Sequence, residues 1–404
     1  MVEQHLRIGL ALRVHAHRGD AAAAQRFLQR EVQRMRARQI VAAHLAVHEV
    51  REPARHCLLG DGGAATASSQ TVASIDYRGG STISVDTDGT TASRLTTLTT
   101  GTLNRTDLGT LNIRNIGNQT TTFGTAAGTQ KFIVTSAPTV TNDMIGANIA
   151  LWGGTTANDA QQPLFVTYDA THGVQAATFD ATAAGAAAAS LATLNAATAT
   201  QIVDVNGLTA NMTGALTTAG VQALRVRTTA NTNQNFSPTG TLNIGSSAAV
   251  GQGAGLFLAH TADNTVTHAA NFAFGTQEGL IYSSTTGNSG LVTLSGTITG
   301  SNGITKFGDG RLSLTGTNTF TGPVTVNAGE LRLNRNAAGS IAAAAGSINP
   351  AAPTEVNLRG GALFLNESAQ RLNINVNFYE DARFGDNNVS GNAVNNITIQ
   401  PRTG

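Results

Sequence analysis

Acidic side chains in the last quarter of the chain are the first candidates for chemistry. Asp309 stands between two glycines, and Glu380, Asp381 and Asp386 lie close together further on. Two carboxyl groups ~6.5–9.5 Å apart hydrolyse a glycosidic bond with inversion, and two ~5–5.5 Å apart hydrolyse it with retention. These residues leave open a carbohydrate-active enzyme, a lyase or glycosidase, as the alternative function.

The basic residues argue against that alternative. A lyase that cleaves an acidic sugar needs a lysine or arginine base and basic subsites, but the chain has only two lysines, Lys131 and Lys306. The acidic residues are also too sparse for the sequence to reveal a catalytic pair. We therefore predict a protein that is not an enzyme and has no catalytic residue.

Metal-binding patterns are incomplete. Residues 86–89 (DTDG) open like a calcium loop, but Thr90 and Thr97 stand where further ligands would be needed. The histidines beyond residue 60 are His172, His260 and His268. Their scatter favours solvent-facing or turn positions, so we predict a tight turn at 86–89 and no metal site.

A glycine-rich segment at residues 251–255 (GQGAG) has spacing reminiscent of a nucleotide-binding loop. It lacks the final glycine, and no helical pattern follows it. We therefore predict a flexible corner and no cofactor.

Short strands separated by glycine turns are the elements that would have to position any functional group. The form G-x-L-x-L recurs at residues 310–314, 329–333 and 361–365, and the form G-T-L-N at 101–104, 109–112 and 240–243. Glycine allows positive φ at a corner, and two apolar residues two apart point to one face. The pattern predicts an all-β fold in which brief strands pile aliphatic side chains into a single narrow column.

Residues 303–333 carry the most specific form of this pattern. They read GITKFGDGRLSLTGTNTFTG followed by PVTVNAGELRL. This order resembles the passenger-associated transport repeat, also called the autotransporter-associated β-strand repeat. The signature positions are Gly303, Lys306, Gly308, Gly310, Leu312, Leu314, Gly316, Asn318, Phe320, Gly322, Val324, Val326, Gly329, Leu331 and Leu333.

The resemblance implies a fold and a role. Members of this family are secreted bacterial surface proteins with right-handed parallel β-helix passengers, and the repeat is associated with efficient export. For this chain it implies a secreted or cell-surface, structural or adhesin-like passenger whose repeat aids export. It also implies an outer-membrane translocator or anchor as a partner outside this sequence.

Composition agrees with a thin solenoid core. Charged residues make up 12% and aromatic residues 5% of the 404 residues. Beyond residue 60 the chain has 15 basic and 19 acidic residues, because residues 1–60 hold 10 of the 25 basic and 5 of the 24 acidic ones. Such a mildly acidic body has no basic stripe for nucleic acid. A host or matrix surface, or a polysaccharide, is the expected kind of partner, with no small-molecule cofactor.

The first 60 residues differ from the rest. They hold ten arginines, six of the nine histidines and the single cysteine, Cys57. We predict a non-β segment here, disordered or helical, and the abrupt change near Gly60 suggests a misassigned start. No secretory signal pattern is visible, and no apolar run is long enough for a transmembrane helix.

The remaining residues, 61–404, are predicted to form the β-helix passenger. Two stretches fit the coil poorly and suggest a decorated insert at about 155–200. Residues 161–180 look like a hairpin or decorated rung, and the alanine-rich residues 181–200 could form a short helix.

Overall fold

The computed structural model of the chain describes residues 55–59, 67–86, 95–114, 123–124, 130–152, 163–208, 210–228, 235–249, 251–260, 265–285, 290–333, 355–365, 376–379 and 382–386. All of them belong to one compact unit, Ala46–Gly404. Within them, strands predominate and one α-helix occurs. The predicted all-β class is confirmed. Most of the Arg/His-rich segment lies outside the described residues.

The first part of the unit is a stack of parallel strands with one short antiparallel strand at its end, called here the N-terminal stack. Its strands are β1 (Arg55–Leu59), β2 (Ser68–Tyr77), β3 (Gly80–Asp86), β4 (Thr96–Arg105), β5 (Thr110–Arg114), β6 (Gln130–Val134), β7 (Ile149–Trp152) and β8 (Pro163–Leu164). The chain alternates between two sheets, because β1, β3, β5 and β7 pair in one and β2, β4 and β6 in the other. Strand β1 lies within the segment predicted as non-β, so strand structure begins before residue 60.

A hairpin and a helix follow. Strands β9 (Val166–Asp169) and β10 (Gly173–Ala176) pair antiparallel. After β11 (Ala181–Gly185) comes the short helix α1 (Ala187–Ala196), within the alanine-rich stretch. Leu194 of α1 is fully buried in one cluster with Val203 and Val205. The helix therefore covers one end of the core that follows, where a bare end of a stack would expose apolar side chains.

The second part is the C-terminal stack. Beside β11 it contains β12 (Ile202–Leu208), β13 (Ala223–Thr228), β14 (Thr241–Asn243), β15 (Ala254–His260), β16 (Thr265–His268), β17 (Asn271–Ala273), β18 (Gly279–Thr285), β19 (Leu291–Leu294), β20 (Ile298–Thr299), β21 (Ile304–Phe307), β22 (Arg311–Leu314), β23 (Val324–Val326), β24 (Glu330–Leu333), β25 (Val356–Arg359), β26 (Ala362–Leu365), β27 (Val376–Tyr379) and β28 (Arg383–Asp386). Its three sheets have the orders β11-β12-β13-β15-β18-β21-β23-β25-β27, β16-β19-β22-β24-β26-β28 and β14-β17-β20.

Register keeps like side chains above one another in this stack. Val292 pairs with Leu312, Leu312 with Leu331, and Leu331 with Leu363, and all four side chains are buried in one cluster. Burial of such a side chain contributes about 1.5–3 kcal/mol. Each turn of the chain thus adds its apolar residues to the core left open by the previous turn.

The prediction of a single column is wrong, because the chain folds back on itself. The N-terminal stack has its own core, and a third cluster joins its outer face to the nine-stranded sheet. In that cluster Ala150 and Phe165 lie against Phe257, Leu280 and Tyr282. The nine-stranded sheet is therefore buried on both faces in its middle, and all seven residues of β15 are buried.

We call this contact the stack junction. Trp152 of β7 donates a hydrogen bond to the Tyr282 hydroxyl of β18, whereas Thr110 at the start of β5 receives one from Asn327, just after β23. Later strands of the first stack thus meet earlier strands of the second. The two stacks run side by side in opposite directions.

Candidate functional site

Residues 303–333 fold into two strand pairs within the C-terminal stack. Strand β21 pairs with β23, which places Ile304 beside Val324 and Lys306 beside Val326. Strand β22 pairs with β24, which places Leu312 beside Leu331. The segment therefore contains two successive turns of the stack that bond to each other, and each of its strands also pairs with a strand outside the segment.

The apolar signature positions all point into the core. They are Leu312, Leu314, Phe320, Val324, Val326, Leu331 and Leu333, and each is at most 3% exposed. Alternation along each short strand brings these residues to one face, as the sequence pattern requires. Their part in the segment is packing.

Lys306 is fully buried at a corner of the stack. Its Nζ donates to the carbonyl oxygens of Gly308 at 2.7 Å, Gly310 at 2.6 Å and Ala328 at 2.8 Å. An ammonium group has three donors, and all three are used. Burial lowers the pKa of Lys306 to about 7, although the negative charges of Asp309 and Glu330 oppose that shift. This side chain ties one corner to the next.

Gly329 leaves the space that this corner needs. Its φ is +65°, and a Cβ at this position would lie 2.3 Å from Lys306 Nζ and 2.4 Å from the Gly308 carbonyl oxygen. Only glycine combines this backbone conformation with such a close approach. The other signature glycines lie at corners or between neighbouring turns of chain: Gly303, Gly308, Gly310, Gly316 and Gly322.

Asn318 bonds to the backbone of β20, the last strand of the three-stranded sheet. It is 5% exposed, and its Oδ1 accepts from the backbone N–H of Ile298 at 3.0 Å. A buried backbone donor without a partner would destabilise the turn by about 1–3 kcal/mol. Asparagine here takes the place of a strand partner where no strand is formed.

The comparison with known families agrees with this geometry. Residues 304–333 match the family described as passenger-associated-transport-repeat. The chain carries a transport repeat of this kind. The resemblance inferred from the signature positions is confirmed. Corner-forming glycines, the buried Lys306 and the paired strands are thus the structural content of the transport repeat.

One relative extends the similarity beyond the repeat. The chain is 45% identical over 75 residues to the Adhesin BmaC autotransporter of Brucella suis biovar 1 (strain 1330). The aligned part covers 19% of this chain and 2% of that protein, so the two share a segment and differ greatly in length. No solved structure matches the chain.

Three contacts of the transport repeat were not predicted. Asp309 forms an ion pair with Arg114 at 2.6 Å, and Asn327 Nδ2 donates to the Leu108 carbonyl oxygen at 2.9 Å and to Thr110 Oγ1 at 3.1 Å. These partners lie about 200 residues away in the sequence, on the N-terminal stack. Asp309 fills a variable position of the repeat, whereas Asn327 is the asparagine of its form V-x-V-N-x-G-x-L-x-L. Neither position indicates by itself a partner on the other stack.

Of the remaining candidate residues, some lie in the described part of the chain and some outside it. Among the acidic residues, Asp309 pairs with Arg114, whereas Glu380 and Asp381 lie outside the described residues, as do residues 87–89 of the predicted tight turn. Residues 251–253 form a corner that leads into β15, whereas residues 254–255 of the predicted corner belong to that strand and are buried. Within the described part of the chain, no cluster of potential ligands could hold a metal ion. None of its helices is long and apolar enough to cross a membrane.

The histidine prediction is correct for one residue and wrong for two. His172 lies in a turn and contacts Asp169. His260 and His268 are each 2% exposed, because they lie at the ends of strands that face the core. Burial first, and neighbouring His260 second, lower the pKa of His268 to about 3. Its Nδ1 accepts a hydrogen bond from the Phe236 N–H at 3.0 Å, so this neutral histidine gives a buried backbone donor its partner.

Proposed function

We propose that this chain is a non-enzymatic passenger of a secreted or cell-surface protein, structural or adhesin-like in role. The observation that carries the proposal is the transport repeat at residues 304–333, with its paired strands and buried lysine corner. The relative named as an adhesin autotransporter supports the same class. An outer-membrane translocator or anchor outside this sequence follows from that class.

A right-handed parallel β-helix is the proposed fold of each stack. In-register parallel pairs in both stacks, with the chain passing from sheet to sheet between them, support a helical coil of strands. Connections between parallel neighbours in a sheet are right-handed in ~98% of proteins. A circular dichroism spectrum dominated by helix would contradict this proposal.

The transport repeat is proposed to aid export by folding early. Its strand pairs close loops of about 20 residues, for example from Leu312 to Leu331. Short loops carry a low entropic penalty and favour fast formation of contacts. Because its two turns pair with each other, the repeat can present strand edges with free hydrogen-bonding groups. Neighbouring turns then pair with these edges as the rest of the chain is exported.

The export role is tested in cells that make the full-length native protein. Lys306→Met should lower the fraction accessible to external protease about tenfold, because misfolded corners delay stacking. Lys131→Met is the matched control, since Lys131 lies on the N-terminal stack and is only half-buried. Equal surface fractions for wild type and Lys306→Met would refute the export role.

The adhesin-like role needs a binding measurement of its own. The purified chain should bind saturably to a host cell or matrix surface, or to a polysaccharide, when screened on cells, matrix proteins and a glycan array. No binding to any of them would leave only a structural role. Release of products from pectin, alginate or glucans would instead overturn the non-enzymatic proposal.

A further inference from the structure

The stack junction changes in character from one end to the other. At one end it is apolar, because Phe165 stacks on Phe257 with ring centroids 3.9 Å apart and Ala150 is fully buried beside them. A backbone hydrogen bond also crosses here, from the Ala147 N–H to the Gln252 carbonyl oxygen at 2.9 Å. This end holds the stacks together by burial of apolar surface and a backbone bond.

The other end, over the transport repeat, is polar. The side chain of Asn327 bonds across to Leu108 and Thr110, and Asp309 pairs with Arg114. The Asp309 side chain is 61% exposed, so its ion pair is screened by water and contributes little. Arg105 and Glu278, whose side chains are 20% and 8% exposed, also pair across this end at 2.7 Å. All of these contacts are polar, so water can replace each partner when the end opens.

Unpartnered acceptors lie at the same polar end. Asn112 Oδ1, Thr325 Oγ1 and Asn327 Oδ1 are buried and have no hydrogen-bond partner within the described part of the chain. Each would gain a hydrogen bond on meeting water, so opening this end removes an unfavourable state. Both stacks keep separate cores when the junction opens. Such local opening requires less free energy than global unfolding.

We propose that the N-terminal stack is a releasable cover of the transport repeat. It opens from the end at Asn327 and stays attached at the apolar end around Phe257, while both stacks remain folded. Opening exposes the outer face of β23 and the corner at Asn327. The repeat thus has two faces with separate tasks: the inner face packs the core, and the outer face holds the cover.

Thiol labelling of the full chain tests this cover. Cys57→Ser removes the single native cysteine, so each introduced thiol is the sole reactive group. Thr325→Cys reports the polar end, Ala150→Cys the apolar end and Leu312→Cys the core, and all three positions are fully buried. Without denaturant, Thr325→Cys should react about tenfold faster than the other two, since local opening is more frequent than global unfolding.

Two labelling results would contradict a releasable cover. Equal rates at all three positions would mean that the junction opens only on global unfolding, and a fast rate at Ala150→Cys would mean that the stacks separate completely. Either result overturns the proposal. Asn112→Cys reports the same gap from the facing stack and serves if Thr325→Cys does not fold. Added Asp309→Asn should speed labelling at the polar end about threefold and leave Leu312→Cys unchanged.

Discussion

The Nζ of Lys306 lies 2.8 Å from the carbonyl oxygen of Ala328, one turn further along the stack. The same nitrogen holds two carbonyl oxygens of its own corner, those of Gly308 and Gly310. A single side chain therefore bonds to the backbone carbonyl groups of two successive corners, and of these the Gly310 oxygen also accepts from the Glu330 N–H at 3.2 Å. This is the physical reason for a lysine in an otherwise aliphatic core.

Removal of this lysine should destabilise the fold. Lys306→Met removes a donor from three carbonyl oxygens, of which that of Gly310 also accepts from the Glu330 N–H, and a buried acceptor left without a partner costs about 1–3 kcal/mol. We expect the free energy of unfolding to fall by about 3 kcal/mol in urea titrations at pH 6, where folded Lys306 keeps its proton and its three donors. Lys131→Met should change it by less than about 0.5 kcal/mol. Similar losses in the two variants would show that the corner does not depend on Lys306.

Lys306 should also make stability depend on pH. Its pKa is about 7 in the folded chain and 10.5 ordinarily, so the unfolded chain binds more protons between these values. The free energy of unfolding therefore rises with pH in this window, by about 1.4 kcal/mol per unit. Urea midpoints at pH 7.5 and 9.5 should rise more steeply for wild type than for Lys306→Met. Parallel curves would mean that folded Lys306 keeps its proton.

Gly329 should tolerate no side chain. In Gly329→Ala the new Cβ would meet Lys306 Nζ and two carbonyl oxygens within 2.5 Å, in addition to the strain of positive φ. We expect a loss of about 3 kcal/mol or more. Gly275→Ala is the control, because Gly275 has φ +56° but nothing within 4 Å of the added Cβ. Its loss should be about 1–2 kcal/mol, and equal losses would rule out the steric explanation.

The apolar end of the stack junction should contribute strongly to stability. Phe257 is fully buried between Phe165 and Tyr282, so Phe257→Ala leaves a cavity and should cost about 3–5 kcal/mol. Phe378→Ala, at a position 46% exposed, should cost about 1 kcal/mol or less. Thermal unfolding followed by circular dichroism measures both. A small effect of Phe257→Ala would contradict tight packing between the stacks.

The inner face of the stack could be read from local spacing. Two apolar residues two apart after a glycine fix a short strand and the face that it buries, which is how Leu312, Leu314, Leu331 and Leu333 were placed. Family resemblance located the repeat for the same reason, since its signature positions are the corners and inward residues of one compact segment. A missed signal lies in residues 254–260 (AGLFLAH), since a nearly continuous apolar run is typical of a strand covered on both faces. All seven residues are buried in the structure.

The sequence by itself therefore determined the all-β class, the inward residues and the transport repeat, because these depend on neighbours within about one turn of chain. Only the tertiary structure decided that the chain doubles back, so that Arg114 meets Asp309 and Thr110 meets Asn327. Which residues meet in such pairs depends on where the hairpin and the helix between the stacks reverse the direction of the chain. Periodicity along a strand carries no information on which distant surface covers its outer face.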